Sequence, residues 1–252
     1  MATLSSTKPD EHGGLSAEFV SCSDPDEATV AAMFSLYASS YADTSDGRFR
    51  RDLEGKTHVL LLTQAGGILC GFTTLELYSS TAAGPPIRVI FSGDTVIDPK
   101  YWGSPVLALE WLRFAGTVAH RSQLPLYWLL IVKGHRTYRY LSTFANRYIP
   151  HHEFPDAPDD RSILTALARE KFGELFDDAT GIIHFPSPQG RLSDELAEIP
   201  DRHRRLRPVE HFIKLNPGFR DGDELVCLCR LAGDNLRPMA ARAFGADIGQ
   251  SH

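Results

Sequence analysis

A continuous apolar run, Leu124 to Val132, constrains the fold of this 252-residue chain more than any other segment. A run of this length without polar alternation is typical of a central strand that is buried on both faces. It follows a segment with apolar residues at helical spacing, Leu107, Trp111, Phe114 and Val118. A strand at 87–97 precedes that helix, so the stretch 87–132 predicts a right-handed strand–helix–strand crossover with two parallel strands.

The segments before the crossover predict an antiparallel meander. They are a strand at 16–22, a helix at 25–41 and strands at 58–64, 68–78 and 87–97. The turn Ala65-Gly66-Gly67 joins two of these strands as a hairpin. Gly93, inside the last strand, predicts a bulge or a close backbone approach. The predicted fold class is therefore α+β, with a mixed, mostly antiparallel central sheet flanked by helices.

The composition of the chain changes beyond residue 150, where a Pro/Asp-rich loop begins. Downstream, the apolar pattern predicts helices at 160–176 and 208–215 and a strand at 223–231. Such a strand is too apolar to lie free, so we expect it to join or extend the main sheet. We accordingly divide the chain into a disordered N-terminus at 1–15, a core at 16–150 and a C-terminal extension at 151–252 packed on the core.

Charge and hydropathy exclude several classes of protein. The chain holds 32 acidic and 26 Lys or Arg residues, a formal net charge of −6, so no nucleic-acid partner is expected. The dense basic stretch Arg202–Arg207 (RHRRLR) is typical of a solvated helix or loop face, and the alternative is an anion site. No membrane span is expected, because the chain has no run of 18 apolar residues. The polar N-terminus lacks an apolar signal core, which predicts a cytoplasmic protein.

Cysteine and histidine patterns favour neither disulfides nor a metal. The four cysteines form no C-x-x-C pair and are expected to be free thiols, Cys22, Cys70, Cys227 and Cys229. The adjacent residues His151, His152 and Glu153 rarely chelate one ion together, and no H-E-x-x-H motif is present. The sequence thus predicts no metal and no permanently bound cofactor.

The segment 96–107, VIDPKYWGSPVL, joins a predicted strand to a predicted helix. Backbone N–H groups at the start of a helix can bind a pyrophosphate with the help of the helix dipole. Gly103 permits close approach of an anion and Lys100 adds positive charge. Pro105 removes one donor but suits the first helical turn.

This segment resembles the signature region of the GNAT superfamily of N-acetyltransferases. In that family a strand ends in a V-x-P-x-Y-x-G motif and is followed by a helix. The matching residues here are Val96, Pro99, Tyr101 and Gly103. The family loop Q/R-x-x-G-x-G/A corresponds to K-Y-W-G-S-P, residues 100–105. The resemblance implies an N-acetyltransferase-like fold and a co-substrate site that includes Val96, Lys100, Tyr101, Trp102, Gly103 and Ser104.

The resemblance also implies a carboxylate base on the central strands and a tyrosine acid on the helix after the fifth strand. Asp94 and Glu76 are the carboxylates in the matching strands, and each is costly to bury without a partner or a purpose. The alternative is that either points to solvent. Tyr138 and Tyr140 are the candidate acids, with Tyr138 preferred; the alternative for such a tyrosine is a core residue.

The predicted function is transfer of an acyl group from a thioester to an amine or hydroxyl of a small-molecule acceptor. The thioester co-substrate is carried by coenzyme A or by an acyl-carrier protein. About 100 residues after position 146 exceed the usual closing strands of the superfamily, and they resemble the additions of relatives that take long acyl chains. Two alternatives stay open: a non-catalytic module that binds an acyl chain or a partner, and a relative that decarboxylates an acyl thioester.

Overall fold

The computed structural model describes residues 14–186 and 190–246. The strands are β1 (Ser16–Ser21), β2 (Tyr41–Ala42), β3 (His58–Gln64), β4 (Ile68–Ser80), β5 (Ile87–Ile97), β6 (Leu126–Val132), β7 (Phe176–Asp177), β8 (Ile182–Ile183), β9 (Arg191–Leu192) and β10 (Glu224–Arg230). The α-helices are α1 (Glu27–Ser40), α2 (Asp46–Glu54), α3 (Val106–Arg121), α4 (His135–Phe144), α5 (Pro158–Phe172), α6 (Asp194–Ala197), α7 (Asp201–Arg204), α8 (Arg207–Leu215) and α9 (Pro238–Phe244).

The main sheet has the order β1-β3-β4-β5-β6-β10-β8-β7. Strands β5 and β6 are parallel, and every other pair in this sheet is antiparallel. The predicted mixed, mostly antiparallel sheet is therefore confirmed. The strand predicted at 223–231 is β10, and it lies between β6 and β8 inside the sheet. The division into a core and an extension stays a prediction, since one strand of the extension completes the sheet of the core.

The parallel pair β5–β6 opens at its carboxyl end. Pairing runs from Arg88–Leu126 to Ser92–Leu130 and stops there, although β5 continues to Ile97 along β4. At this point Gly93 and Asp94 together lie opposite Thr74, which makes the bulge that the sequence predicts. A Cβ atom on Gly93 would lie 2.5 Å from Thr74 Oγ1, so only glycine fits without a shift. The bulge bends β5 away from β6 and leaves a gap between them.

Helices cover both faces of the sheet. The side chains of α3, α4, α8 and α9 form one large core with one face. Helices α1 and α2 pack on the opposite face near β3, β4 and the end of β5, and α5 packs beside them over β5, β6 and β10. Helix α9 was not predicted, because its seven residues are too few to show a helical period in the sequence. Among the described residues, no helix combines the length and apolar character needed to cross a bilayer.

The N-terminal part of the chain differs from the prediction in two places. Residues 1–13 of the predicted disordered N-terminus lie outside the described residues, whereas Leu15 is only 3% exposed and belongs to the core. The predicted helix at 25–41 begins slightly later, at Glu27. Its cap is Asp26, whose carboxylate accepts a hydrogen bond from the Thr29 amide at 2.8 Å.

Candidate functional site

A cleft of about 900 Å³ occupies the gap between β5 and β6. On one face of the sheet it is bounded by α1 and α2, and on the other by the loop at 102–104 and by α4. The C-terminal extension adds lining residues from several elements, Lys171, Phe172, Phe185, Leu192, Leu196, Arg202 and Glu224. The cleft thus joins the two faces of the sheet at the point where the bulge separates the strands.

The edge of β5 beyond the bulge faces this gap. The Asp94 amide donates to Thr74 Oγ1 at 3.1 Å and the Asp98 amide donates to Cys70 O at 2.9 Å, so both amides point toward β4. Backbone direction alternates along a strand, which turns Thr95 and Ile97 toward the gap. An extended ligand that carries amide groups can pair with such an open strand edge.

Asp94 lies at the floor of the cleft. Burial raises the pKa of its carboxyl to about 7, and the neighbouring Asp52 acts in the same direction. The positive charges of Lys133 and Lys56 oppose that rise in pKa. A carboxyl with such a pKa exchanges its proton near neutral pH, which is what a general base requires.

Two ion pairs lie near Asp94, and the sequence analysis missed them; Lys133–Glu224 is largely buried, whereas in Lys56–Asp52 the carboxylate is half exposed. Lys133 Nζ lies 3.3 Å from Glu224 Oε1, and Lys56 Nζ lies 2.7 Å from Asp52 Oδ1. Burial raises the pKa of Glu224. These residues come from α2, the start of β3, the end of β6 and the start of β10. No local spacing signals the cluster, because only the sheet brings the four segments together.

Glu76 also lines the cleft, on the side of α5. Its carboxylate forms an ion pair with Lys171, and both side chains are about a quarter exposed. The Lys171 ammonium also lies 4.2 Å from the centroid of the Phe91 ring. Glu76 therefore anchors the extension at the cleft wall, and its charge is already balanced.

The structure places the two candidate tyrosines of α4 in different surroundings. Tyr138 is fully buried, and its hydroxyl donates to the Pro150 carbonyl at 2.7 Å, away from the cleft. Tyr140 lines the cleft, and burial raises its pKa, which keeps the hydroxyl protonated. Residues two apart on a helix point roughly 200° apart, so only one of the pair can face the cleft.

The loop before α3 contributes part of the predicted co-substrate set. Val96, Trp102, Gly103 and Ser104 line the cleft. Gly103 has a φ of +91°, a left-handed conformation that favours glycine. The Trp102 indole donates to the Ile97 carbonyl at 2.9 Å and holds the loop against the open edge of β5. These residues lie where an anion at the start of α3 would be expected.

Lys100 and Tyr101 do not line the cleft. Lys100 is exposed, and its amide donates to Asp98 Oδ1 at 2.9 Å within a short helical turn. The Tyr101 hydroxyl donates to Gln64 Oε1 at 2.7 Å, which ties the loop to the β3–β4 hairpin. Both residues lie in the loop before α3, as the motif predicts, but their hydrogen bonds stabilise the loop and their side chains do not face the cleft.

A small cavity of about 40 Å³ shares Gly93, Thr95 and Tyr140 with the cleft. Its other walls are mainly apolar and include Trp111, Trp128 and Phe144. The Trp128 indole donates to Ser92 Oγ at 2.8 Å, so that polar group is satisfied within the wall. The cavity offers an apolar branch beside the floor of the cleft.

The described parts of the chain contain no arrangement of side chains suited to metal or thiol chemistry. Across residues 14–186 and 190–246 no group of three or more His, Cys, Asp or Glu side chains is placed to hold a metal ion. The four cysteines are free, and three of them are buried. His151 accepts a hydrogen bond from the Glu153 amide at 2.9 Å, which accounts for part of the adjacent His-His-Glu motif.

No protein-family model and no curated protein matches the sequence significantly. Solved structures do resemble the chain. A conserved protein of Enterococcus faecalis V583, described as a probable N-acyltransferase, is 14% identical over 51% of this chain, with a TM-score of 0.38. The chain spans about a third of that protein, 33% of its length.

Two further structures cover more of their own length. A GNAT family N-acetyltransferase (YhbS) from Escherichia coli, solved with CoA, is 16% identical over 61% of this chain and 81% of its own, with a TM-score of 0.38. An acyl-CoA N-acyltransferase from Pseudomonas aeruginosa is 18% identical over 52% of this chain and 88% of its own, also with a TM-score of 0.38. The architecture predicted together with this resemblance, a mixed sheet in which β5 and β6 are parallel neighbours that separate after Ser92, is confirmed by the strand order and the register.

Proposed function

We propose that this protein is an acyltransferase of the GNAT fold that moves an acyl group from a thioester to an amine or hydroxyl of a small-molecule acceptor. One observation carries the proposal. Asp94 lines one cleft together with the open edge of β5 and with the loop 102–104 before α3. A titrating carboxyl at that place can deprotonate an acceptor beside a bound thioester.

The donor is proposed to enter from the face of α3 and α4. Its amide-bearing arm would pair with the backbone of Thr95 and Ile97 at the open edge of β5, as an added strand does. Trp102 and Gly103 lie at the end of that edge, beside the first turn of α3. This path brings the thioester carbonyl to Asp94.

The chemistry follows from the positions of two side chains. Asp94 takes a proton from the acceptor nitrogen or oxygen, which then forms a bond to the thioester carbonyl carbon. The tetrahedral intermediate collapses with cleavage of the carbon–sulfur bond. Tyr140, which lines the same cleft, gives a proton to the leaving thiolate. Amides of the open strand edge are suited to stabilise the oxyanion.

The acceptor is proposed to bind on the opposite face, between α1, α2 and the end of α5. Three apolar residues of α5, Ile163, Leu167 and Phe172, are candidates for setting acyl or acceptor preference. Leu167 is fully buried and Ile163 packs against the same core, whereas Phe172 lines the cleft. We therefore assign the preference to Phe172 alone.

The test is thiol release from acetyl-CoA and longer acyl-CoA esters by the full-length protein with a panel of amines and alcohols. Asp94→Asn is expected to lower kcat/KM by about 100-fold or more, because the general base is lost. The wild-type kcat/KM should rise with pH and level off above about 7, the pKa of Asp94. Full activity of the Asp94→Asn variant would overturn the role of Asp94.

One observation favours the alternative of a non-catalytic binding module. Pro105 occupies the cap position of α3, so it offers no N–H group to an anion. A module of this kind would bind an acyl thioester without releasing thiol in the presence of any acceptor. Mass spectrometry of the products separates transfer from this outcome and from decarboxylation of the acyl group.

A further inference from the structure

One side of helix α2 forms part of the cleft wall on the proposed acceptor face. Arg48, Arg51 and Asp52 line the cleft, and their spacing of three and four residues places them together on this side of the helix. Phe49 and Leu53 of the same helix are buried in the core that α1 and the sheet form. Because this burial sets the rotation of α2, the helix presents charged side chains to the cleft.

Four carboxylates line the cleft, and lysines of the chain neutralise three of them. The three ion pairs are Asp52–Lys56, Glu76–Lys171 and Glu224–Lys133. The fourth carboxylate is Asp94, which forms no ion pair within the described residues. The paired side chains therefore leave no net charge for a ligand to balance, and Asp94 is the carboxylate that can act on a ligand.

The three arginines of α2 differ in what their guanidinium groups contact. Arg50 lies outside the cleft and forms an ion pair with Glu27. Arg48 lines the cleft and donates to the Asp43 carbonyl at 3.2 Å. Arg51 also lines the cleft and is exposed, and among residues 14–186 and 190–246 it has neither an ion pair nor a side-chain hydrogen bond. The guanidinium of Arg51 is therefore available to a ligand.

Arg51 and Asp94 border the same part of the cleft. Asp52, which follows Arg51 in α2, is the charged group with the largest effect on the pKa of Asp94. Lys56, the partner of Asp52, acts on the same carboxyl. A small ligand between α2 and the bulge of β5 can therefore meet a guanidinium at one end and a proton-accepting carboxylate at the other.

We infer that the acceptor is a small amine or alcohol that also carries a carboxylate, and that Arg51 binds this carboxylate. The inference rests on the proposed function. A guanidinium binds a carboxylate through two parallel N–H···O bonds, which fix the orientation of the ligand as well as its position. With the carboxylate held at Arg51, the amine or hydroxyl at the other end of the acceptor lies toward Asp94, which takes its proton. Arg51 is thus a residue that determines acceptor specificity.

The charge of the site favours a carboxylate over a phosphate group. A phosphate monoester carries about 1.5 to 2 negative charges at pH 7, whereas a carboxylate carries one. The lysines of the cleft are already paired with carboxylates of the chain, so they are not available to balance a second charge. The single guanidinium of Arg51 matches the single charge of a carboxylate.

The experiment uses acceptors of increasing length, each compared with its own amide, which keeps the nucleophile and the length but removes the negative charge. The acids are glycine, β-alanine, γ-aminobutyrate and ε-aminohexanoate, together with the corresponding hydroxy acids. Thiol release from acetyl-CoA gives kcat/KM for the full-length protein, and calorimetry gives the Kd of each acid and amide. In at least one pair we expect the acid to exceed its amide by about tenfold or more in both kcat/KM and affinity, because hydrogen bonds to charged groups are stronger than neutral ones.

Three variants assign this preference to a residue. Arg51→Gln should lower kcat/KM for the acid and bring the ratio of acid to amide close to one. Arg51→Lys should keep part of the preference, since it retains the charge but loses the planar fork of donors. The matched control is Arg50→Gln, which removes a guanidinium from the same helix but outside the cleft, and it should keep the wild-type ratio.

Three results would overturn the inference: equal values for acid and amide in every pair, no binding of any acid in the series, or a wild-type preference in Arg51→Gln. The neutral amides separate this inference from the proposed function, because they offer Arg51 no charge. Thiol release with an amide that depends on Asp94 supports the proposed function even if Arg51 proves unimportant. Conversely, binding of an acid that depends on Arg51, without thiol release, supports the carboxylate site and rejects the catalytic role.

Discussion

The floor and the mouth of the cleft are both rich in charge, but they hold it differently. At the floor, Lys133 is paired with Glu224 and both side chains are largely buried, and the buried Lys56 is paired with Asp52, which is half exposed. Arg136, Arg139 and Arg202 also line the cleft, on the side that we call its mouth, and none of them is paired with a carboxylate of the described chain. Buried charges must be paired within the protein, because an unpaired buried ion is expensive. Charges at a wet mouth can remain available for a ligand. Floor substitutions should therefore change stability, and mouth substitutions should change binding.

The sharpest test of this contrast is Gly93→Val at the floor. The added Cβ would lie 2.5 Å from Thr74 Oγ1 and 2.6 Å from Lys56 Cε, so the bulge and an ion pair must both shift. We expect a loss of about 3 kcal/mol or more in the free energy of unfolding. Urea denaturation of the soluble variant, or its absence from the soluble fraction, checks this. Wild-type stability would show that the bulge is not tightly packed.

Glu224→Ala should have the next largest effect. It leaves the Lys133 ammonium without its carboxylate partner at a buried position, and we expect a loss of about 3 kcal/mol in unfolding free energy. Glu198→Ala is the matched control, because its partners Arg204 and Arg220 are surface residues. The control should cost less than about 1 kcal/mol. Equal losses in the two variants would contradict the distinction between floor and surface pairs.

Asp94→Asn should change how stability depends on pH. The folded pKa of about 7 lies above the value in the unfolded chain, roughly 3.9, so folding favours the protonated form. Wild-type stability from this group is complete below pH 4 and is lost as pH rises through 7. The variant should therefore gain on the order of 1–3 kcal/mol relative to the wild type between pH 5 and pH 8. Denaturation at both pH values checks this, and a constant difference would show that Asp94 titrates normally.

Gly103→Val probes the mouth with the same substitution as Gly93→Val. No atom lies within 4 Å of an added Cβ, so the cost comes from the φ of +91°. We expect a loss of about 1–2 kcal/mol in stability. Binding of the thioester should weaken by much more than stability does, because the loop approaches the donor here. Unchanged thioester affinity would place the donor site elsewhere.

The smallest expected effect on stability is that of Arg202→Gln, less than about 0.5 kcal/mol, because the residue is exposed and unpaired in the described chain. A melting curve checks this against the CoA affinity of the same variant. A large loss of stability would make Arg202 a structural residue and would remove the contrast between floor and mouth.

Several features of the site could be predicted from the sequence because they depend on local residues. Asp94 beside Gly93 signals a carboxylate at a bulge, and the phrase at 96–103 signals a loop at the start of a helix. The choice between Tyr138 and Tyr140 could not be made from the sequence, because α4 presents them to opposite sides and the sequence does not show which side is the cleft. Nothing in the local sequence marks the other charged residues as part of the site, since each is a charge at the end of an apolar element: Lys56, Lys133 and Glu224.

The sequence by itself determined the six longer strands, the crossover and the bulge, because these depend on apolar periodicity and on one glycine within a strand; it did not show the two-residue strands β2, β7, β8 and β9. It also placed Val96 to Ser104 at the start of α3. Only the tertiary structure decided which charges meet. Strand β10 brings Glu224 to Lys133 at the floor, and α7 brings Arg202 to Arg136 and Arg139 at the mouth. Both groups of charges combine residues that are far apart in the chain. Electrostatic energy depends on the distance between charges in space, and local sequence patterns do not encode that distance.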